Sequence, residues 1–248
     1  ILMMGKLMKY DLKSMLKVII PFWIAMFVTG ILWSGQAKTA LLDINNADGP
    51  GSLIMGITMM LFLVLITAVI VMNIVVIIQR FWKGLLKEEG YLMFTIPVSQ
   101  RSLILSKVLS SFLITIGTIL VIFLLVMAMG LMHGMDLSVL VQSKFLKQFV
   151  NDWGVYSILY GSFSVLNGIY HLYAAMALGQ LSSRNRFICS FVAYVALAVL
   201  FSLVETLLLG SGFHVMLNEW LYVIVRVVEI VIFHGIAEFI LTKHLNLE

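Results

Sequence analysis

The sequence predicts an all-α polytopic membrane protein with six transmembrane helices, both termini cytoplasmic, and an amphipathic interfacial helix at the amino end. Three observations carry this. The 248 residues are 62% apolar and only 11% charged, whereas a soluble domain is nearer half apolar and a quarter charged. Mean hydropathy is +1.08, more apolar surface than a water-soluble fold can hide. The apolar residues fall into six long runs, and the basic residues gather at alternate ends of them.

Each run meets the roughly 20 residues that a hydrocarbon core of about 30 Å demands of a helix. They lie at about Val18–Ser34, Leu53–Ile78, Leu103–Leu131, Tyr156–Leu181, Phe187–Leu209 and Leu221–Leu241. The apolar-polar alternation of a transmembrane barrel is absent, so helices are left to satisfy the backbone in lipid. Residues 18–248 therefore read as one six-helix transmembrane domain preceded by an amino-terminal segment, residues 1–17. That segment holds four lysines and no small-residue cleavage site, so the first span is expected to remain in the mature protein. The single cysteine, Cys189, lies inside a span and supports neither a disulfide nor a metal framework.

Charge sets the orientation. With a cytoplasmic amino terminus, the inner segments and span ends carry Lys6, Lys9, Lys13, Lys17, Arg80, Lys83, Lys87, Arg101, Lys107, Arg184, Arg186 and Lys243, twelve of the sixteen basic residues. The outer segments hold Lys38, Lys144 and Lys147. The positive-inside rule then puts both termini in the cytoplasm. The net charge of +4 suits an inner surface facing anionic lipid, and gives no reason to expect nucleic acid as a partner.

Lys6, Lys9, Lys13 and Lys17 recur at helical spacing and share one stripe, with Leu7, Met8, Leu12, Met15 and Leu16 on the remainder. Such a segment anchors in the inner lipid interface, either as a separate elbow helix or as a basic flank that orients the first span. Asp11 breaks the pattern. It projects from the apolar side and needs a partner or water.

The connector between spans two and three is unusual. Arg80-Phe-Trp-Lys-Gly-Leu-Leu-Lys-Glu-Glu-Gly-Tyr-Leu-Met-Phe-Thr-Ile-Pro-Val-Ser-Gln-Arg101 mixes charge with large aromatics. Phe81, Trp82, Leu85, Leu86, Tyr91, Leu92 and Phe94 are too many apolar groups for a loop that merely crosses water, so something should cover them. Gly90 would end a short helix over Arg80–Glu89, Pro97 would stop a later one, and Ser99 is placed to cap the third span. The short helix presents side chains to another protein, or lies in the interface with its aromatics among the headgroups.

Residue resemblance sharpens that choice. Glu89-Gly-Tyr-Leu-Met-Phe-Thr-Ile-Pro-Val-Ser, then Leu103 and Ser106-Lys107, resembles the segment E-G-Y-L-x-F-T-L-P-V-S…S-K of membrane permeases of the type-2 ABC exporter family of Gram-positive bacteria. Gly5-Lys6-Leu7-Met8-Lys9-Tyr10-Asp11-Leu12-Lys13 is similar to the amino terminus of the same family. The resemblance implies half of a transmembrane dimer, completed by an identical or homologous permease in a bacterial plasma membrane. It implies that the amino-terminal segment is a connecting helix. It further implies that Arg80, Phe81, Trp82, Lys83, Leu86, Lys87, Glu88, Glu89, Gly90 and Tyr91 form a coupling helix that docks on a nucleotide-binding subunit. No phosphate-cradling G-x-x-x-x-G-K-[ST] occurs, so ATP and Mg are expected in a partner ATPase and no cofactor in this chain. The implied cargo is hydrophobic or amphipathic, such as an antimicrobial peptide or drug, moved outward by alternating access.

Ionisable residues at membrane depth mark a cavity or a partner. In the sixth span Arg226 and Glu229 are three apart and His234 and Glu238 four apart, so each pair is expected to meet on one helix face. Glu205, Asn73, Asn167 and His171 are candidates for a polar seam, read as contacts between helices in preference to a ligand site. The small residues of Gly161–Gly168 and of Ala174, Ala175 and Ala177 predict close helix approach in the fourth span. Residues Met132–Trp153 have the pattern of a helix on the outer surface.

Other functions fit less well. The G-x-S-x-G, H-E-x-x-H and Glu-Glu-x-x-x-Arg signatures of intramembrane enzymes are missing; Met93 stands where the last needs arginine. A proton-coupled secondary transporter would use Glu229, His234 or Glu238, but the two halves show no inverted repeat. A non-catalytic membrane scaffold shares every feature except dependence on an ATPase.

Overall fold

The computed structural model describes residues 2–42, 50–86, 99–134, 154–182, 185–209 and 219–243. Among them are six α-helices and no strand: α1 (Leu2–Leu42), α2 (Pro50–Phe81), α3 (Gln100–Met132), α4 (Gly154–Gly179), α5 (Arg186–Leu209) and α6 (Glu219–Lys243). Four stretches are long and apolar enough to cross a membrane, namely Gly5–Lys38, Leu53–Leu85, Gln100–Met132 and Arg186–Leu207. These belong to α1, α2, α3 and α5. The other two helices, of 26 and 25 residues, carry the polar groups singled out above, Asn167 and His171 on α4 and Arg226, Glu229, His234 and Glu238 on α6.

α1 runs unbroken through position 17 for 41 residues, about 60 Å at 1.5 Å per residue. That is twice the hydrocarbon thickness, so one continuous helix supplies both the lysine-bearing segment and the first span, with no chain break marking an elbow. Pro21 lies inside the helix, a position that lipid-exposed helices tolerate when neighbours and hydroxyls satisfy the freed carbonyl. All four lysines of the stripe are exposed, whereas Asp11, Met15 and Ile19, spaced by four, are buried on another face.

α2 starts on Pro50, whose missing N–H costs nothing in the first turn. At its other end it passes directly into a π-helical turn, Trp82–Leu86, in place of the separate short helix expected from Arg80. Residues 87–98 lie outside the described residues, and with them the predicted ends at Gly90 and Pro97. Ser99 does cap α3: its hydroxyl accepts from Ser102 N at 3.4 Å and its carbonyl from Leu103 N at 3.2 Å. After α3, Gly134 takes φ +83° in the left-handed region that glycine enters without a Cβ penalty. Most of Met132–Trp153 lies outside the described residues.

The chain divides into two compact units. One comprises Leu12–Val76 and Leu113–Asp152. Met26, Phe62, Val69 and Leu125 form its core, with Trp33 stacked on Phe62 at 5.7 Å. Asn73 donates to Thr118 at 2.9 Å and accepts from Thr115 at 3.2 Å, so this predicted seam residue joins α2 to α3.

The other unit comprises Ile1–Asp11, Ile77–Phe112 and Trp153–Glu248. In it α4 packs against both α5 and α6, and Ala177 meets Ala237 and Ile240 in a dry contact. The alanines behave as expected, but Gly161 and Gly168 do not: a Cβ on either would meet nothing within 4 Å. The close approach falls instead at Gly179, where a Cβ would overlap the Ser190 hydroxyl and stand 2.7 Å from both the Arg186 carbonyl and Ser190 N. Backbone cannot retreat as a side-chain tip can. Gly179→Ala should therefore destabilise by about 2–3 kcal/mol, read as a lowered thermal midpoint in detergent, while Gly161→Ala should be neutral or better.

Candidate functional site

The second unit holds two polar clusters. The first gathers around Asp11. Its local sequence offers it nothing: three and four residues away stand Met8, Ser14, Leu7 and Met15, so no lysine of the stripe can reach it along the helix. The cations come from elsewhere in the chain. Arg80, at the end of α2, bonds Asp11 Oδ1, and Lys107, two turns into α3, places Nζ 2.9 Å from Oδ1 and 2.8 Å from Oδ2. Asp11 and Lys107 are both fully buried. A buried carboxylate survives only when paired and hydrogen-bonded, which two cations accomplish.

The surroundings hold Lys107 in place. Ser106, Ser110 and Ser111 are buried beside it, and Ser110 reaches the Met8 carbonyl at 3.5 Å. Tyr173 of α4 lies 2.8 Å from the Ser111 hydroxyl and donates to the Lys107 carbonyl at 3.3 Å. A Cβ on Gly84 would come within 3.0 Å of Lys107 Nζ, so the glycine of the π turn leaves room for the ammonium group.

This cluster relocates several predicted coupling residues. Arg80 is occupied by Asp11. Phe81 is fully buried and stacked on Tyr173 at 4.1 Å, and Leu85 is buried too. The expected apolar cover thus comes partly from α4 of the same chain. Trp82 is half-buried, edge-on to Phe187 at 6.2 Å, and Lys83 is exposed. Leu86 closes the π turn; Lys87, Glu88, Glu89, Gly90 and Tyr91 lie outside the described residues. Of the predicted coupling residues whose side chains are described, Lys83 is exposed and Trp82 half-buried.

The second cluster lies where α4, α5 and α6 pack. Arg226 and Glu229 meet at 2.7 Å as their spacing predicts. Arg226 also reaches Glu205 of α5 at 2.8 Å and hydrogen-bonds Tyr160 of α4, and Asn167 donates to Glu229 at 2.5 Å. His234 stands 3.8 Å from Glu238, which is instead bonded by the exposed Arg101 of α3. His171 is stacked between Tyr194 at 4.4 Å and Phe233 at 5.0 Å, and its Nε2 lies 3.2 Å from the Tyr194 carbonyl. His234 also stands edge-on to Tyr170 of α4 at 5.5 Å, so each of these polar residues contacts a neighbouring helix.

Among the described residues no three His, Cys, Asp or Glu side chains converge as a metal site would need. What the Asp11 cluster can do is mechanical, since it fixes three chain segments at one point. Sequence reasoning found Asp11 and its need for a partner but missed the partner. The signal was there: Lys107 is the one ionisable residue between Leu103 and Leu131, as Asp11 is the one acid in α1.

Four helices of membrane-spanning length and apolarity support a helical membrane protein, and its buried ionic junction joins Asp11, Arg80 and Lys107. No family model matches the chain, nor does any curated protein or solved structure.

Proposed function

We propose that this chain is the permease subunit of an ATP-driven exporter resembling the type-2 ABC family, with six spans and both termini in the cytoplasm of a bacterial cell. A second permease, identical or homologous, completes the pathway, and a separate ATPase binds ATP and Mg and docks on the connector between α2 and α3. Closure of the ATPase pair pushes on that connector, and the spans rock between inward- and outward-open arrangements around a hydrophobic or amphipathic cargo. The observation that carries the reading is the Glu89–Ser99 segment followed by Ser106-Lys107. Its support in the structure is the rooting of Arg80, Phe81 and Leu85 in the core while Lys83 faces outward, because a docking element must be stiff to transmit a push.

The test keeps the root and changes the face. A tagged chain carrying Trp82→Ala, Lys83→Glu and Glu89→Ala should lose about tenfold or more of its co-purifying ATPase, the effect of about 1.4 kcal/mol or more at an interface. Unchanged association would refute the docking site. The topology makes a further prediction. In a Cys189→Ser background, single cysteines at the exposed positions Lys38 and Lys83 should react with an impermeant maleimide from opposite sides of the membrane.

A further inference from the structure

We propose that Asp11 is a positioning residue that ties the amino-terminal helix to both ends of the connector between α2 and α3, so that residues 2–11 and Arg80–Leu85 move as one body. Its mechanical use rests on the exporter reading; the tie itself does not. The argument starts from where the charges come from. Asp11 has no cation at helical spacing, so it is neutralised wholly by residues 69 and 96 positions away. Arg80 stands just before the connector and Lys107 just after it. One carboxylate therefore pins three segments.

An ionic junction is a poor way to gain stability, because a buried ion pair roughly balances its own desolvation and apolar groups of similar volume do as well. It is a good way to fix geometry, since charged hydrogen bonds weaken steeply with misalignment whereas apolar contacts slide. Phe81 on Tyr173 and Ser110 on the Met8 carbonyl support the same point from two further sides. The segments so joined include two parts of the family resemblance outside its main run, Gly5–Lys13 and Ser106-Lys107. A push on the connector would then be delivered to α1 through Asp11.

Pulsed electron–electron resonance on the full chain, with Cys189→Ser and nitroxides at Lys9→Cys and Lys83→Cys, measures the tie. A second pair, Lys9→Cys with Leu105→Cys, reports the α3 arm; all three label sites are exposed. The unsubstituted junction should give one narrow distance distribution for each pair. Arg80→Met leaves Asp11 neutralised by Lys107, so the protein should fold, the first distribution should broaden about twofold and the second should stay narrow. Arg80→Lys should restore the first. Asp11→Asn should broaden both; if it fails to fold, the Arg80→Met pair decides alone. A simple loss of stability would not broaden one pair and spare the other. Wild-type widths in Arg80→Met would overturn the proposal. In the ATPase complex, a Lys9→Cys and Gln79→Cys pair, whose second label is exposed and lies off the docking face, should keep its distance on addition of ATP with vanadate, and a shift would overturn the claim that the segments move together. If no ATPase co-purifies, the exporter reading fails while the widths still decide the tie.

Discussion

Replacing Asp11 by alanine should destabilise the protein by about 3–5 kcal/mol, the cost of removing one partner from a buried ion pair. The carboxylate that neutralises Arg80 and Lys107 would be lost, and Lys107 is fully buried, so its charge cannot turn to water as a surface lysine would. The same change at an exposed lysine of the stripe, Lys9 or Lys13, should shift the thermal midpoint little. The control matters because composition treats all these residues alike. Replacing Asp11, Arg80 and Lys107 together by apolar groups should recover most of the stability, since no charge is then stranded. Thermal unfolding of the detergent-purified chain, followed by circular dichroism, checks all three.

Phe81→Ala carries the second large effect, about 3–5 kcal/mol for truncating a buried aromatic side chain. Its ring is wholly covered and stacked on Tyr173, so truncation opens a cavity against that ring. Trp82→Ala, one residue on, removes a half-buried ring from the edge of Phe187 and should cost far less. Thermal midpoints of the two variants separate fold from interface. A docking assay that altered Phe81 would conflate them, because a collapsed root also releases a partner.

Much of the helical architecture was legible because hydropathy and spacing are local. The lysine stripe, the cap at Ser99 and the Arg226–Glu229 contact all follow from positions a few residues apart. The rest depends on pairs that spacing does not encode. Arg80 reads as an outward-facing connector charge, and only its contact with Asp11 turns it inward. Phe81 and Leu85 read as apolar surface awaiting a partner, yet both are buried, Phe81 against Tyr173 of α4. Hydropathy fails at such points for a physical reason: a lipid-facing side and a core-facing side are equally apolar. The apolar window of α5 is 6% buried and that of α2 28%, although both read simply as spans. Glycine is similarly ambiguous. Gly161 and Gly168 sit in a small-residue run but face open space, whereas Gly179, at a helix end, meets backbone.

Magnesium-dependent ATP hydrolysis in the purified membrane complex tests the proposed docking of a separate motor most directly. These 248 residues contain no G-x-x-x-x-G-K-[ST], so hydrolysis in the preparation is to be assigned to the chain found to bear that motif. The tagged wild-type chain should bring down ATP hydrolysis together with a chain bearing G-x-x-x-x-G-K-[ST], and Trp82→Ala with Lys83→Glu should remove both while the thermal midpoint holds. A wild-type preparation that purifies without hydrolysis, or a double variant that retains it in full, would refute motor docking at this site.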